Sequence, residues 1–212
     1  MENNGRSMLL TLSHPEDETR LEEPRLDDAA EGFRRAFQSL GLDLSGPDLE
    51  GTEHRVARAY RELFAGLYAA APDLKTFPNT EGYSQMVAVT DIPFHSLCAH
   101  HILPFFGKAH VAYLPKERLV GLSKLARVVD FYARRPQSQE KLTEQIIGLL
   151  EKRLSPLGAM VIIQARHFCI EMRGVGKPGA MTTTSAIRGA FDDQRTRQEF
   201  LGLLRTSQGR DA

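Results

Sequence analysis

The segment His95-Ser96-Leu97-Cys98-Ala99-His100-His101 places three histidines and one of the chain's two cysteines within seven residues. Imidazoles and thiols bind transition metals, act as nucleophiles and exchange protons near neutral pH. Cys98 and His101 stand three apart, a spacing that lets a thiolate and an imidazole converge from one tight turn as a zinc pair. A third ligand is available in Cys169, within the stretch AMVIIQARHFCIEM (159–172), which reads as a strand. Side chains on a strand alternate, so His167, Cys169 and, if the strand continues, Arg173 share one face. Cys98, His101 and Cys169 make three protein ligands and leave one tetrahedral position open, the pattern of catalytic zinc. His100 and His167 then lie beside the metal without ligand duty, suited to general acid or base work. The same two cysteines also admit a disulfide or a pair of inert core thiols, and His95 and His110 read as structural histidines.

A second group of residues suggests anion binding. A helix expected from Ser123 carries Lys124 and Arg127 in its first turns, where cations oppose the macrodipole. Free N–H groups, a capping hydroxyl and two cations form a phosphate cradle, and the alternative is a solvated basic face, to which Arg134 and Arg135 are assigned. Gln139 and Glu140 open the next helix. A carboxylate there complements the helix N-terminus and is also able to accept the paired N–H donors of a guanine edge. Gly174-Val175-Gly176-Lys177-Pro178-Gly179 fits G-x-G-x-x-G in form, but Pro178 and the β-rich MTTTSA that follow make it a loop between strands, not a dinucleotide fingerprint.

The positioning elements follow from periodicity. DDAAEGFRRAFQSLGL (27–42) reads as a helix, and a second one, capped by Thr52, places Val56, Tyr60, Leu63, Phe64 and Leu67 on one stripe. MVAVTDIPF (86–94) and KAHVAYLP (108–115) read as strands joined through the histidine-rich segment. Helices are expected over 123–135 and 138–154, separated by Pro136. Strands follow over 159–172 and 181–191, then a helix opening at a capping box in TRQE (196–199). The fold class is α+β with an antiparallel sheet and two central helices. Residues 1–26 are expected to be a mobile tail, 27–72 an N-terminal helical segment, and 73–212 the catalytic domain.

With 27 basic and 27 acidic side chains among 212 residues, there is no global field to draw nucleic acid or an anionic membrane surface. Neither an N-terminal apolar core nor a membrane-length run is present, so a cytoplasmic protein is expected.

The order of CAHH, GKAHVAYLPKERLVGLSKLARVVDFYARRPQSQEKLT, RHFCIEMRG and TTTS, within roughly residues 50–205, resembles GTP cyclohydrolase I. The resemblance implies the tunnelling fold (T-fold), in which sheets of several subunits join into a barrel, and a homodecamer with active sites between subunits. It implies Zn2+ on Cys98, His101 and Cys169, catalytic roles for His100 and His167, and guanine contacts from Gln139 and Glu140. Ser123, Lys124, Arg127 and Arg173 match the family's triphosphate side, as does Arg55 in its helical arginine motif. The implied reaction opens the imidazole ring of GTP, releases C8 as formate and yields 7,8-dihydroneopterin triphosphate, a folate precursor. This chain departs from the family at Ala99, where Glu is common, and at Glu53, where Pro is frequent. The nearest rival on the same fold, the nitrile reductase of the queuosine pathway, uses a nucleophilic cysteine and NADPH without zinc, and three convergent metal ligands argue against it.

Overall fold

The computed structural model describes residues 21–208. Its centre is a five-stranded sheet in the order β5-β2-β3-β6-β7. The long strands β2 (Val87–Cys98), β3 (Pro104–Leu114), β6 (Gly158–His167) and β7 (Met181–Gly189) are antiparallel, as expected. The two-residue β5 (Pro136–Gln137) adds a parallel pairing to the end of β2 that periodicity does not reveal. A small separate ladder joins β1 (Thr76–Pro78) to β4 (Arg118–Val120).

Helices α4 (Leu122–Ala133) and α5 (Gln139–Leu154) cover one face. Leu125, Val128 and Tyr132 of α4, and Leu142, Ile146 and Leu150 of α5, pack there with Phe105, Val111, Val161 and Ile163 of the sheet. The C-terminal α7 (Gln194–Gln208) covers the other face through Phe200 and Leu204 against Ala112, Met160 and Ile162. With both faces covered, β3 and β6 need apolar residues at consecutive positions, which explains the unbroken run AMVII in β6. Gly107 has a packing reason of its own: a Cβ there would lie 1.9 Å from the Gln164 carbonyl oxygen of β6.

Helices α1 (Leu26–Ser39), α2 (Thr52–Leu63) and the single turn α3 (Ala65–Tyr68) precede the sheet. Phe33 stacks on Tyr60 at 5.4 Å, and Arg34 donates to the buried Glu53 at 2.8 Å. Glu53 is therefore more than first-turn charge, because it ties α1 to α2. The cap of α2 is Gly51 at φ 70°, not Thr52, whose hydroxyl instead accepts from Arg55. Asp193, not Thr196, caps α7, its carboxylate accepting from the N–H groups of Arg195 and Thr196. Arg135 is buried, donating to the Gly66 carbonyl at 2.7 Å and lying over the Phe131 ring, so it does not belong to a solvated basic face. Of the tail expected over 1–26, residues 1–20 lie outside the described residues. Leu21 donates its N–H to Leu67, and Glu23 pairs with Arg61. Among the described residues no helix is long and apolar enough to cross a membrane.

Ile146 is fully buried between α5 and the sheet. Ile146→Ala is expected to lower the unfolding free energy by about 2–5 kcal/mol, with an unchanged denaturant slope, measured by urea unfolding.

Candidate active site

β3 pairs with β2 on one side and β6 on the other, with Leu97 opposite Pro104 and Phe105 opposite His167. The last residues of β2 and β6 therefore meet at one end of the sheet. The chain leaves β2 at Cys98 through a tight turn in which the N–H groups of His101 and Ile102 return to the Cys98 carbonyl, at 3.2 and 2.7 Å. Ile102 sits at φ 54° in that turn. This brings the Nδ1 atoms of His100 and His101 to 3.7 and 3.8 Å from the Cys98 sulfur.

The other corner differs from the expected strand over 159–172. β6 stops at His167, and Phe168–Glu171 form one helical turn, α6. Cys169 and His167 thus do not share a strand face; the helical turn swings the Cys169 thiol toward Cys98. The donor atoms of Cys98, His101 and Cys169 all lie within 4.8 Å of one another. Both cysteines are free thiols and both are buried, so the structure does not bear out the disulfide alternative. Two sulfurs and an imidazole match the ligand chemistry of zinc, whose Zn–S and Zn–N bonds of about 2.3 and 2.0 Å need donors close together. Burial, reinforced by the neighbouring Cys98, pushes the Cys169 thiol up. Arg173 closes the cluster, its Nη1 standing 3.3 Å from both the His101 Nε2 and the Cys169 carbonyl oxygen.

His167 is held by two contacts. Its ring lies flat on that of Phe105, 4.6 Å between centroids at 2°, and its Nε2 is 2.8 Å from Gln139 Oε1. Gln139 is 2% exposed and is more constrained than the sequence suggests. Its Nε2 donates to the carbonyls of Ile163 and Thr182 and to the Thr184 hydroxyl, at 3.0, 3.1 and 3.1 Å. Carbonyl oxygens only accept, so the amide orientation is fixed and Oε1 faces the histidine as an acceptor. The proton of neutral His167 therefore sits on Nε2, leaving Nδ1 to exchange protons. Burial pulls the His167 pKa below its ordinary value, against opposing effects of Glu140 and Glu171.

Glu140, exposed at the first turn of α5, is thus electrostatically coupled to His167. The remaining predicted residues stand apart. The side chains of Ser123, Lys124 and Arg127 make no hydrogen bond or ion pair with another described residue. The N-cap of α4 is Gly121 without a side-chain bond, so Ser123 is not the capping hydroxyl expected. Arg55 is engaged at its own helix start, donating to the Glu50 carbonyl and to Thr52. The loop carrying Gly174, Gly176 and Gly179 opens no helix, in line with rejection of the dinucleotide motif.

Sequence reasoning missed Phe105, Thr143, Thr184, Arg166 and Glu171. Thr143 donates to the Gln139 carbonyl and meets Thr184 at 2.7 Å, completing the network under His167. The fourfold spacing of Gln139 and Thr143 on α5 was a usable signal for that pair. Arg166 grips Glu171 through two bonds, and Arg166 first, then the Gly179 N–H, hold the Glu171 carboxyl below the usual range against burial.

The chain matches the description "GTP cyclohydrolase I" over residues 29–205. It is 50% identical to a GTP cyclohydrolase 1 of Mycolicibacterium gilvum, covering 92% of this chain and 98% of that protein. It is 47% identical to one of Thermoanaerobacter pseudethanolicus, covering 81% and 92% respectively. This chain belongs to the GTP cyclohydrolase I family. Its α+β architecture is accordingly the T-fold. Among solved structures, the apo form of the archaeosine synthase QueF-Like aligns with 50% of this chain and 94% of its own, at 17% identity and a TM-score of 0.40. The GTP cyclohydrolase I relationship spans both chain corners that form the cluster, as well as α4 and α5.

Two outcomes are expected. Nitrogen NMR of labelled histidine should show His167 neutral at pH 7, protonated at Nε2, and titrating below about 6.5. Gln139→Ala should mix the tautomers. Because the Cys169 thiol is raised, metal uptake must displace its proton, so Zn(II) affinity should climb with pH and each equivalent bound should release protons. Cys169→Ser should remove most of that affinity in a chelator competition.

Proposed function

We propose that this chain is a zinc-dependent GTP cyclohydrolase: it hydrolyses the imidazole ring of GTP, releases C8 as formate and forms 7,8-dihydroneopterin triphosphate. The observation that carries the reading is the convergence of Cys98, His101 and Cys169 beside a His167 fixed by Gln139, in a chain of this family. Zn2+ held by those three residues supplies, when bound, Lewis acidity and a water acidic enough to serve as nucleophile near neutral pH.

The chain's own residues do the rest. His167 is committed at Nε2 to Gln139, so its Nδ1 is the atom that takes up and returns a proton as the ring opens. His100, exposed and beside Cys98, is the second proton carrier. Protonation of the guanine nitrogens makes C8 electrophilic and lets the ring nitrogen depart, and these two imidazoles divide that work. Gln139 holds the guanine end indirectly, its amide engaged with His167 and the sheet, while the exposed Glu140 carboxylate accepts the N1–H and 2-amino donors of the base. Lys124, Arg127 and Arg173 neutralise the triphosphate, aided by the Ser123 hydroxyl and the uncapped N-terminus of α4. Arg55, engaged at its own helix start, is the remaining cation assigned to that end, in a homodecamer with active sites between subunits.

Ala99 has no carboxylate where the family commonly carries Glu, and its N–H donates to the Gln137 carbonyl at 2.9 Å.

Purified protein given GTP should release one formate per pterin formed, read by formate dehydrogenase coupling and by pterin fluorescence after oxidation. Binding of GTP with neither product would contradict the reading. Glu140→Ala should cost GTP about 10–150-fold in kcat/KM, the worth of about 1.5–3 kcal/mol for hydrogen bonds to a charged group, with little change in the affinity for ATP. An unchanged GTP preference would remove Glu140 from the base site.

A further inference from the structure

The corner that presents His167 and Cys169 has no regular strand or long helix to hold it. β6 ends at His167, α6 is a single turn, and a loop with three glycines at positive φ follows. Arg166, just before the corner, and Glu171, at the end of the turn, close across it. Arg166 Nε donates to Glu171 Oε1 at 2.8 Å and its Nη2 to Oε2 at 2.5 Å, a two-point grip that fixes orientation as well as distance. The Glu171 side chain is 6% exposed and that of Arg166 42%, so the carboxylate half of the pair is sheltered from the solvent that weakens most surface pairs while the guanidinium is partly open. The bonded pair brackets His167 and Cys169 in sequence, so it encloses both in one short side-chain-closed ring. Phe106 reinforces it, lying 6.0 Å beneath the Arg166 guanidinium and edge-on to Phe168 of α6 at 5.3 Å.

We propose that Arg166 and Glu171 form a positioning clamp that sets the angle at which Cys169 is delivered to the metal and His167 to the substrate. This rests on the metal-centre reading of Cys98, His101 and Cys169. The clamp makes no hydrogen bond to the donor atoms, so its effect on Cys169 passes through the backbone of the turn, while on His167 the Glu171 charge also acts directly. Two consequences follow. Loosening it widens the distribution of Cys169 positions, which weakens metal binding and distorts its geometry; partners of this outer kind typically cost metal affinity 10–100-fold when removed. It also misaligns His167, which lowers kcat more than it raises KM.

The test uses Co(II) as probe, with affinity from competition against a chelator and geometry from the visible absorption of the bound ion, alongside thermal unfolding of the metal-free protein. Glu171→Gln and Glu171→Ala should bind Co(II) about 10–100-fold more weakly, with an altered visible spectrum and a cooperative unfolding transition. The double variant Arg166→Met with Glu171→Leu leaves no buried charge unpaired, and it should fold while showing the same loss. Arg166→Lys, which keeps the charge without the two-point grip, should fall between. Wild-type affinity and spectrum in these variants, with only the unfolding temperature changed, would overturn the clamp and leave the metal centre standing. A wild-type protein that binds no Co(II) would overturn both.

Discussion

The site depends on one constraint, the double pairing of β3. Leu97 opposite Pro104 and Phe105 opposite His167 are consequences of a single register. That register brings a β2 end carrying Cys98 and a β6 end carrying His167 to the same edge of the core, although they are far apart in sequence. A one-residue slip of β6 would turn His167 to the opposite face of the sheet and separate it from Gln139. Burial on both faces resists such a slip, because β3 and β6 carry apolar residues against α4 and α5 on one side and α7 on the other. The core thus determines where the chemistry sits.

Around that anchor, rigidity is graded. Gln139 is locked by acceptors from β6 and β7 and by the Thr143–Thr184 pair, and it passes that order to His167. Phe105 covers one side of the same ring and adds to the burial that lowers the His167 pKa. Glu140, Lys124 and Arg127, the groups proposed to meet the nucleotide, are at least partly open to solvent. The proposed proton-transfer centre is preorganised, while the proposed recognition groups are left available.

Much of this was legible in the sequence, for physical reasons that differ by element. α4 and α5 show the three-and-four spacing because each buries one stripe against a flat sheet. The β2–β3 hairpin shows in its β-branched and aromatic runs, and Cys98 with His101 in their spacing. The turn at Phe168–Glu171 was not legible: HFCIEM has the alternation of a strand, and the helical turn exists through Arg166 and the loop packed behind it, with the Lys177 N–H returning to Ile170. The donors of Cys98, His101 and Cys169 do converge, but through a helical turn and not through a shared strand face. Gln139 is a guanine contact by the family resemblance, which says nothing of its burial. Only the packing of α5 against β6 and β7 shows it buried. Arg135 reads as part of a solvated basic face because nothing local announces that the Gly66 carbonyl lies within its reach.

The proposed activity needs an open three-ligand metal centre, and X-ray absorption at the zinc edge of the zinc-loaded protein tests for it most directly. The predicted spectrum has two sulfurs at about 2.3 Å, one imidazole nitrogen at about 2.0 Å and one further light-atom ligand, with a sulfur lost in Cys98→Ser and in Cys169→Ser. A zinc shell without sulfur, or a shell of four protein ligands that excludes solvent, would contradict it.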